Sequence, residues 1–311
     1  MQLDIVVGFF IFGAIAQLLR SDLRLPETLY KSCTIFLLLA IGLKGGYALA
    51  QSEWQEVIGK SALIIIFGAL LPLLAYPLLR FIGGLPKVDA AATAAHYGSV
   101  SVATYAVAVA LAESINLEYE PYLPLFVALL EVPAIFTGIL LAKPNFWGDK
   151  NRSEILHEIF LNQGVVLLIG GIILGAWAGD RIDRVMPFFG ELFHGILALF
   201  LLEMGRQAAT RIDAIKRYGL FLTTFGVFMP LVGAGLAWAL AQFINLSAGG
   251  TFLLMVLGSS ASYIAVPAAM KSALPDADAG LSITASLAIT FPFNVLVAIP
   301  VYLALAMRDI I

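Results

Sequence analysis

The sequence predicts an all-α polytopic membrane protein: ten transmembrane helices in two inverted five-helix repeats, with interrupted helices 4 and 9 crossing at mid-membrane. Three observations predict it. Hydrophobic residues fill 60% of the 311 positions and charged residues only 13%, against roughly half and about a quarter in a soluble domain. Apolar stretches of about twenty residues, the length that crosses a bilayer as a helix, recur along the whole chain. A Gly-Ser phrase is written twice inside such stretches, as His96-Tyr97-Gly98-Ser99-Val100-Ser101-Val102-Ala103-Thr104 and as Leu257-Gly258-Ser259-Ser260-Ala261-Ser262-Tyr263. Paired Gly-interrupted segments at corresponding places in two halves are the mark of a solute-binding site in a membrane carrier.

The expected spans run about 4–20, 27–50, 58–82, 88–113 and 119–142 in the first half, and about 154–178, 187–210, 216–244, 249–273 and 277–307 in the second. Residues 1–142 thus form one repeat, 143–153 a connecting loop and 154–311 the other. No basic region or small-residue cleavage site marks the N-terminus, so Val6 to Leu19 is read as a first span rather than a signal peptide. Charge orients the spans. Arg20, Arg24, Lys31, Arg80, Lys87, Lys143, Lys150, Arg152, Arg206, Arg211, Lys216, Arg217 and Lys271 fall in loops on one side. Lys44, Lys60, Arg181, Arg184 and Arg308 fall on the other, a bias of 13 to 5 that puts the first set in the cytoplasm. Five spans per half is odd, so the second half enters inverted, both termini face out and the 143–153 loop is cytoplasmic. The net charge of -3 gives no footing for a nucleic-acid partner, and the lone Cys33 excludes an internal disulfide.

The halves align. Gly98-Ser99 matches Gly258-Ser259 at an offset of 160, and Val132-Pro133 matches Phe291-Pro292 at 159. Gly42-Leu43-Lys44-Gly45 roughly parallels Glu203-Met204-Gly205-Arg206. Gly and Pro are frequent in membrane helices, so each match alone is weak; three in order at nearly constant offset indicate an inverted duplication.

Within hydrocarbon a broken helix is tolerated only where it is buried or lines a cavity. Gly98 and Gly258 disfavour a helix interior by roughly 1 kcal/mol each, and the serines after them are good N-caps for a new half-helix. Breaks are therefore expected near 98–102 and 258–262. Two half-helix N-termini meeting at mid-membrane would form an anion site without Lys or Arg. Its expected residues are Gly98, Ser99, Ser101, Gly258, Ser259, Ser260 and Ser262. Helix ends and hydroxyls of the opposite polarity suit a hard cation such as sodium. Candidate cation ligands are Thr104, the deeply placed Glu131 beside Pro133, and, for a second cation site, Thr290 and Asn294 in the matching region of the second half. Glu131 would serve as sodium ligand or proton site, since an ionisable group inside a span is functional by default. Helix packing accounts for one Gly-Ser cluster on its own, whereas two symmetry-related clusters favour binding. Glu203 and Arg206 stand three apart and are expected to pair; His96 is expected to make a structural hydrogen bond. His157 and His194 have no metal-ligand spacing.

These residues resemble a known family. Tyr97-Gly98-Ser99-Val100-Ser101, the acid-x-Pro-Ala of Glu131-Val132-Pro133-Ala134, Ile41-Gly42-Leu43-Lys44-Gly45-Gly46 and the serine-rich second break ending at Pro267 are similar to the sodium-dependent bicarbonate transporter family. The resemblance covers nearly the whole chain. It implies sodium-coupled import of bicarbonate or a similar small anion by alternating access, with sodium as coupling ion and no other cofactor. It also implies a homotrimer in the bacterial plasma (inner) membrane and a trimeric PII-like protein as cytoplasmic regulator. Three features differ from the family pattern. Val102-Ala103 stands where relatives carry Gly-Ser, Tyr263 where they carry an Asp, and 143–153 replaces a longer connection.

Two transport alternatives share the fold. A sodium/proton antiporter is disfavoured because no Asp, Glu, Lys or Arg lies between Ala90 and Ala112; a symporter of a larger organic anion differs only in pocket volume. An enzyme is disfavoured too. No serine lies in Gly-x-Ser-x-Gly, and His96 and Ser99 sit on one local turn without an orienting acid.

Overall fold

A computed structural model describes residues 5–52, 54–148 and 151–308, with the side chains of Trp54 and Glu56 also left outside the description. Lys150, the chain ends and hence their sidedness lie outside the described residues. The helices in order are α1 (Ile5–Leu18), α2 (Glu27–Leu49), α3 (Trp54–Pro77), α4 (Lys87–Gly98), α5 (Val102–Ser114), α6 (Leu123–Ala142), α7 (Arg152–Phe160) and α8 (Gln163–Ala178). They continue with α9 (Phe193–Thr210), α10 (Ile212–Phe243), α11 (Ala248–Ser259), α12 (Ala265–Ala273) and a last helix, Ala279–Met307. Wider π-type turns at Thr284–Thr290 and Asn294–Ala298 loosen that last helix around Pro292. Seven helical segments among the described residues are long and apolar enough to cross a membrane; Ile5–Leu18 and Ala248–Ser259 are apolar but shorter.

Hydrophobicity is distributed as in a membrane-embedded protein. Large apolar residues such as Phe12, Ile66, Leu70, Ile173, Trp177 and Trp238 face outward. The buried set, by contrast, includes Ser99, Ser101, Thr104, Glu131, Ser259, Ser260, Ser262, Thr290 and Asn294. Polar side chains hidden beneath an apolar exterior reverse the pattern of a soluble domain.

One expected span needs correction. The sixth begins at Gln163, not near 154, because Arg152–Phe160 forms a separate short helix. Ile155 and Ile159, one turn apart, anchor that helix in a small apolar cluster with Ile135, Val266 and Met270. Asn162 then caps α8 by accepting from Val165 N at 2.9 Å. The stretch Ile212–Phe243 is two helices meeting at Gly219, whose φ of 81° is open to a residue without Cβ, so the eighth span proper follows that kink, near its expected start.

Two packing groups emerge, and each draws on both halves of the chain. In the first, α1 lies along α9 and α2 along α8. The approach is backbone to backbone: a Cβ on Gly205 would collide with the Phe10 carbonyl, and one on Gly13 with that of Leu202. In the α2–α8 pair, Gly46 meets the Ile172 carbonyl and Gly175 that of Leu43 in the same way. Small residues permitting such contacts drive helix association where lipid removes the hydrophobic driving force. The second group holds α3 with α4 and α6, and α10 with α11 and the last helix. Both interrupted segments, α4–α5 and α11–α12, belong to it.

Candidate functional site

Both breaks form where the Gly-Ser phrases stand. The first spans Ser99–Ser101 and the second Ser260–Ile264, each opening after a twelve-residue half-helix. Gly98 and Gly258 end those half-helices against a neighbour's backbone. A Cβ on Gly98 would strike Pro72 and the Gly68 carbonyl, and one on Gly258 would strike Ala237 and the Gly233 carbonyl.

Reciprocal hydrogen bonds stitch the breaks together. Ser101 N donates to Ser260 Oγ at 3.1 Å, and Ser262 N donates to the His96 carbonyl at 2.9 Å. His96 Nδ1 meets the Ser262 carbonyl at 2.5 Å, which makes Nδ1 the protonated nitrogen. The structural role expected of His96 is the one found. Ser101 is the best connected of the expected residues. Its Oγ caps α5 by accepting from Thr104 N at 3.2 Å and donates to Tyr263 OH at 3.2 Å.

Not every expected oxygen faces open space. Ser259 Oγ and Ser260 Oγ both donate back into their own helix, to Val256 and Leu257. Thr290 Oγ1 donates to the Gly226 carbonyl at 2.7 Å, so the Tyr97 hydroxyl 2.8 Å away must be the donor to it. Asn294 donates through Nδ2 to the Ser259 carbonyl at 2.8 Å, while its Oδ1 is buried without a partner. Ser99 Oγ is buried and unpartnered as well. Such orphaned buried oxygens are few in native proteins and call for an explanation.

Glu131 is 4% exposed and takes no hydrogen bond from any described residue. It lines a cavity of about 30 Å³ with Ser101, Val102, Ser262 and Tyr263 from the breaks and Thr34 and Gly164 from α2 and α8. A volume of that order holds an ion or a water or two. Thr290 and Asn294, expected at a second cation position, bond to Gly226 and Ser259, and neither they nor Thr104 line the Glu131 cavity. Glu131 belongs with Ser101 and Ser262, whereas Asn294 attends the end of α11. Tyr263 lines this cavity with its ring edge-on to Phe291 at 5.4 Å. Glu203 and Arg206 make the expected pair, with Nε to Oε2 at 2.9 Å, and Gln207 adds a bond to the same carboxylate. Thr34 and Gly164 had no motif to announce them; they reach the site only through the packing of α2 and α8. Among the described residues no group of His, Cys, Asp and Glu could hold a multi-ligand metal centre.

An apolar-coated helical chain with two stitched helix breaks around buried oxygens is an integral membrane protein of the solute-carrier class. Residues 6–307 match the model of the Na+-dependent bicarbonate transporter superfamily, and the chain belongs to that superfamily. Such a family is one of carriers rather than enzymes. No curated protein matches the chain.

Proposed function

We propose that the protein imports bicarbonate, or an anion of similar size, together with sodium by alternating access. The observation that carries this reading is the Glu131 cavity, where a buried acid with no hydrogen bond from any described residue shares a small space with hydroxyl groups of both helix breaks. The N-termini of α5 and α12 begin at those breaks, each with about half a positive charge; the Ser262 and Tyr263 hydroxyls add neutral donors for an anion, and Ser101 orients Tyr263 by donating to it. Glu131 supplies the negative charge that a sodium ion needs beside it. The unpartnered oxygens of Asn294 and Ser99 are candidates for a second cation position. A cavity of about 30 Å³ favours a small anion over a large organic one. Sodium rather than proton exchange is supported by the superfamily match, since Glu131 brings to the breaks the carboxylate that residues 90–112 lack.

Alternating access in this reading follows from ten spans in an inverted repeat, with the α1–α2–α8–α9 group as frame and the group holding the breaks as moving body. The glycine contacts support the repeat. Gly13 on Leu202 has its counterpart in Gly175 on Leu43, and Gly205 on Phe10 in Gly46 on Ile172. The offsets are a constant 162 for the α1–α8 partners and 159 for the α2–α9 partners. Plasma-membrane location, outward termini, the trimer and a PII-like regulator rest on charge bias and family likeness alone. The deciding experiment is radiolabelled bicarbonate uptake into proteoliposomes, with and without a sodium gradient, against a panel of small carboxylates. Sodium-driven bicarbonate uptake is expected; accumulation indifferent to sodium, or preference for a larger carboxylate, overturns the assignment.

A further inference from the structure

One stripe of α2 and one stripe of α5 continue outward from the Glu131 cavity. Thr34 and Leu38 line that cavity, and the same face of α2 continues through Ile41 to Lys44. On α5 the series Ser101, Tyr105, Val109 and Glu113 repeats every fourth residue, again one face. Ile41, Lys44, Tyr105 and Val109 meet at a second, smaller cavity of about 20 Å³, with Tyr119 and Phe193 completing its wall. The same faces of α2 and α5 thus line both cavities, one behind the other along the two helices, between the proposed frame and the proposed moving body. Lys44 closes the far end. Its Nζ meets Glu113 Oε1 at 3.1 Å and lies 5.3 Å from the centre of the Phe193 ring. Tyr105, fully buried, contributes a hydroxyl with no hydrogen-bond partner. A cation, an unpartnered donor and a track to the main site have one chemistry in common, which is that of a small carboxylate-like anion.

We infer that Lys44 and Tyr105 form an outer docking site for the transported anion, and that the Glu113 carboxylate is its displaceable internal occupant. While Glu113 holds Lys44, the track is closed and the frame is tied to the moving body. An arriving anion takes over Lys44 and frees Glu113. The lock is one-sided. The position 159 residues after Lys44 is Glu203, whose carboxylate pairs with Arg206 on its own helix.

This inference rests on the transport reading above, and the test separates the two. Uptake of radiolabelled bicarbonate by intact cells expressing the protein reports KM at the outer face; inside-out vesicles report it at the inner face. Lys44→Met should raise the outer KM by about tenfold or more, the loss of one charge-assisted contact. Tyr105→Phe should raise it by a smaller factor. Glu113→Gln, which is isosteric and keeps the fold, should lower it by removing the competitor, and Lys44→Arg should stay near wild type. None should move the inner KM. An unchanged outer KM in Lys44→Met, a raised one in Glu113→Gln, or equal shifts at both faces overturns the docking site while leaving the transport reading intact. Wild-type protein that carries another carboxylate of the panel overturns only bicarbonate as substrate, and the same comparison is then made with that carboxylate. A wild-type chain that transports none of them overturns both.

Discussion

Glu131→Gln tests the coupling chemistry most directly, because the substitution keeps size and shape and removes only the charge. The carboxylate is 4% exposed, receives no hydrogen bond and faces a cavity that fits an ion. A sodium ion about 4 Å from a unit negative charge gains roughly 4 kcal/mol at an effective dielectric of 20. The amide oxygen of Gln retains part of this as a neutral ligand, leaving a loss of about 3 kcal/mol, or a factor of about 100 in sodium affinity. Proteoliposome uptake measured across a range of sodium concentrations should therefore show half-saturation shifted upward by about two orders of magnitude. Bicarbonate KM at saturating sodium should change far less. The fold should hold, since no partner of Glu131 is orphaned by the change. A sodium half-saturation within twofold of wild type would remove Glu131 from the ion site and with it the charge argument.

Three further outcomes follow from the same geometry. Tyr263→Phe keeps the ring against Phe291 but deletes the hydroxyl bonded to Ser101; bicarbonate KM in the uptake assay should rise about tenfold, one hydrogen bond to a charged ligand. Asn294→Leu leaves the Ser259 carbonyl without its donor and removes an unpartnered oxygen; a thermal-shift measurement should register a loss of about 1–3 kcal/mol, and sodium-dependent uptake should fail. Gly205→Leu drives a side chain into the Phe10 backbone; size-exclusion chromatography should show no monodisperse peak, while Gly235→Leu, at a glycine with open space around it, should elute as wild type.

The breaks were legible in sequence because Gly followed by Ser has local consequences: the helix loses propensity and the next half-helix gains a cap. Ser101 illustrates this, capping Thr104 where the phrase places it. The start of α8 was misread because Ile155 and Ile159 supply apolar residues in front of the span. Their spacing fits a short surface helix as well as a membrane one, and the Asn162 cap is the only local divider. The site was legible in part. Glu131 stands out as the one deep acid, but which groups surround Thr290 and Asn294 is a tertiary matter, and the chain brings them to Tyr97 and Ser259. Thr34 and Gly164 were invisible. A threonine in an apolar helix and a glycine at a helix start acquire meaning only when α2 and α8 pack against the breaks.

Under the proposed function, sodium and anion meeting beside Glu131 would bind in a set order. A bicarbonate ion arriving beside an ionised Glu131 meets a like charge, and at about 4 Å two such charges repel by roughly 4 kcal/mol at an effective dielectric of 20. Neutral hydroxyls and helix ends at Ser101, Ser262 and Tyr263 offset part of that repulsion, at up to about 3 kcal/mol for each hydrogen bond to a charged group. Sodium bound first changes the sign of the interaction, because the anion then meets a cation held by Glu131. Each ligand thus raises the affinity for the other by the same factor, as linkage requires. On that proposal, an ionised Glu131 without sodium would repel the anion, so the carboxylate proposed to couple the two ions would also suppress uncoupled leak. Glu131→Gln should accordingly raise sodium-independent bicarbonate uptake above the wild-type background even as it weakens the response to sodium. Those two changes together distinguish a coupling carboxylate from a merely structural one, which would lower both rates in parallel.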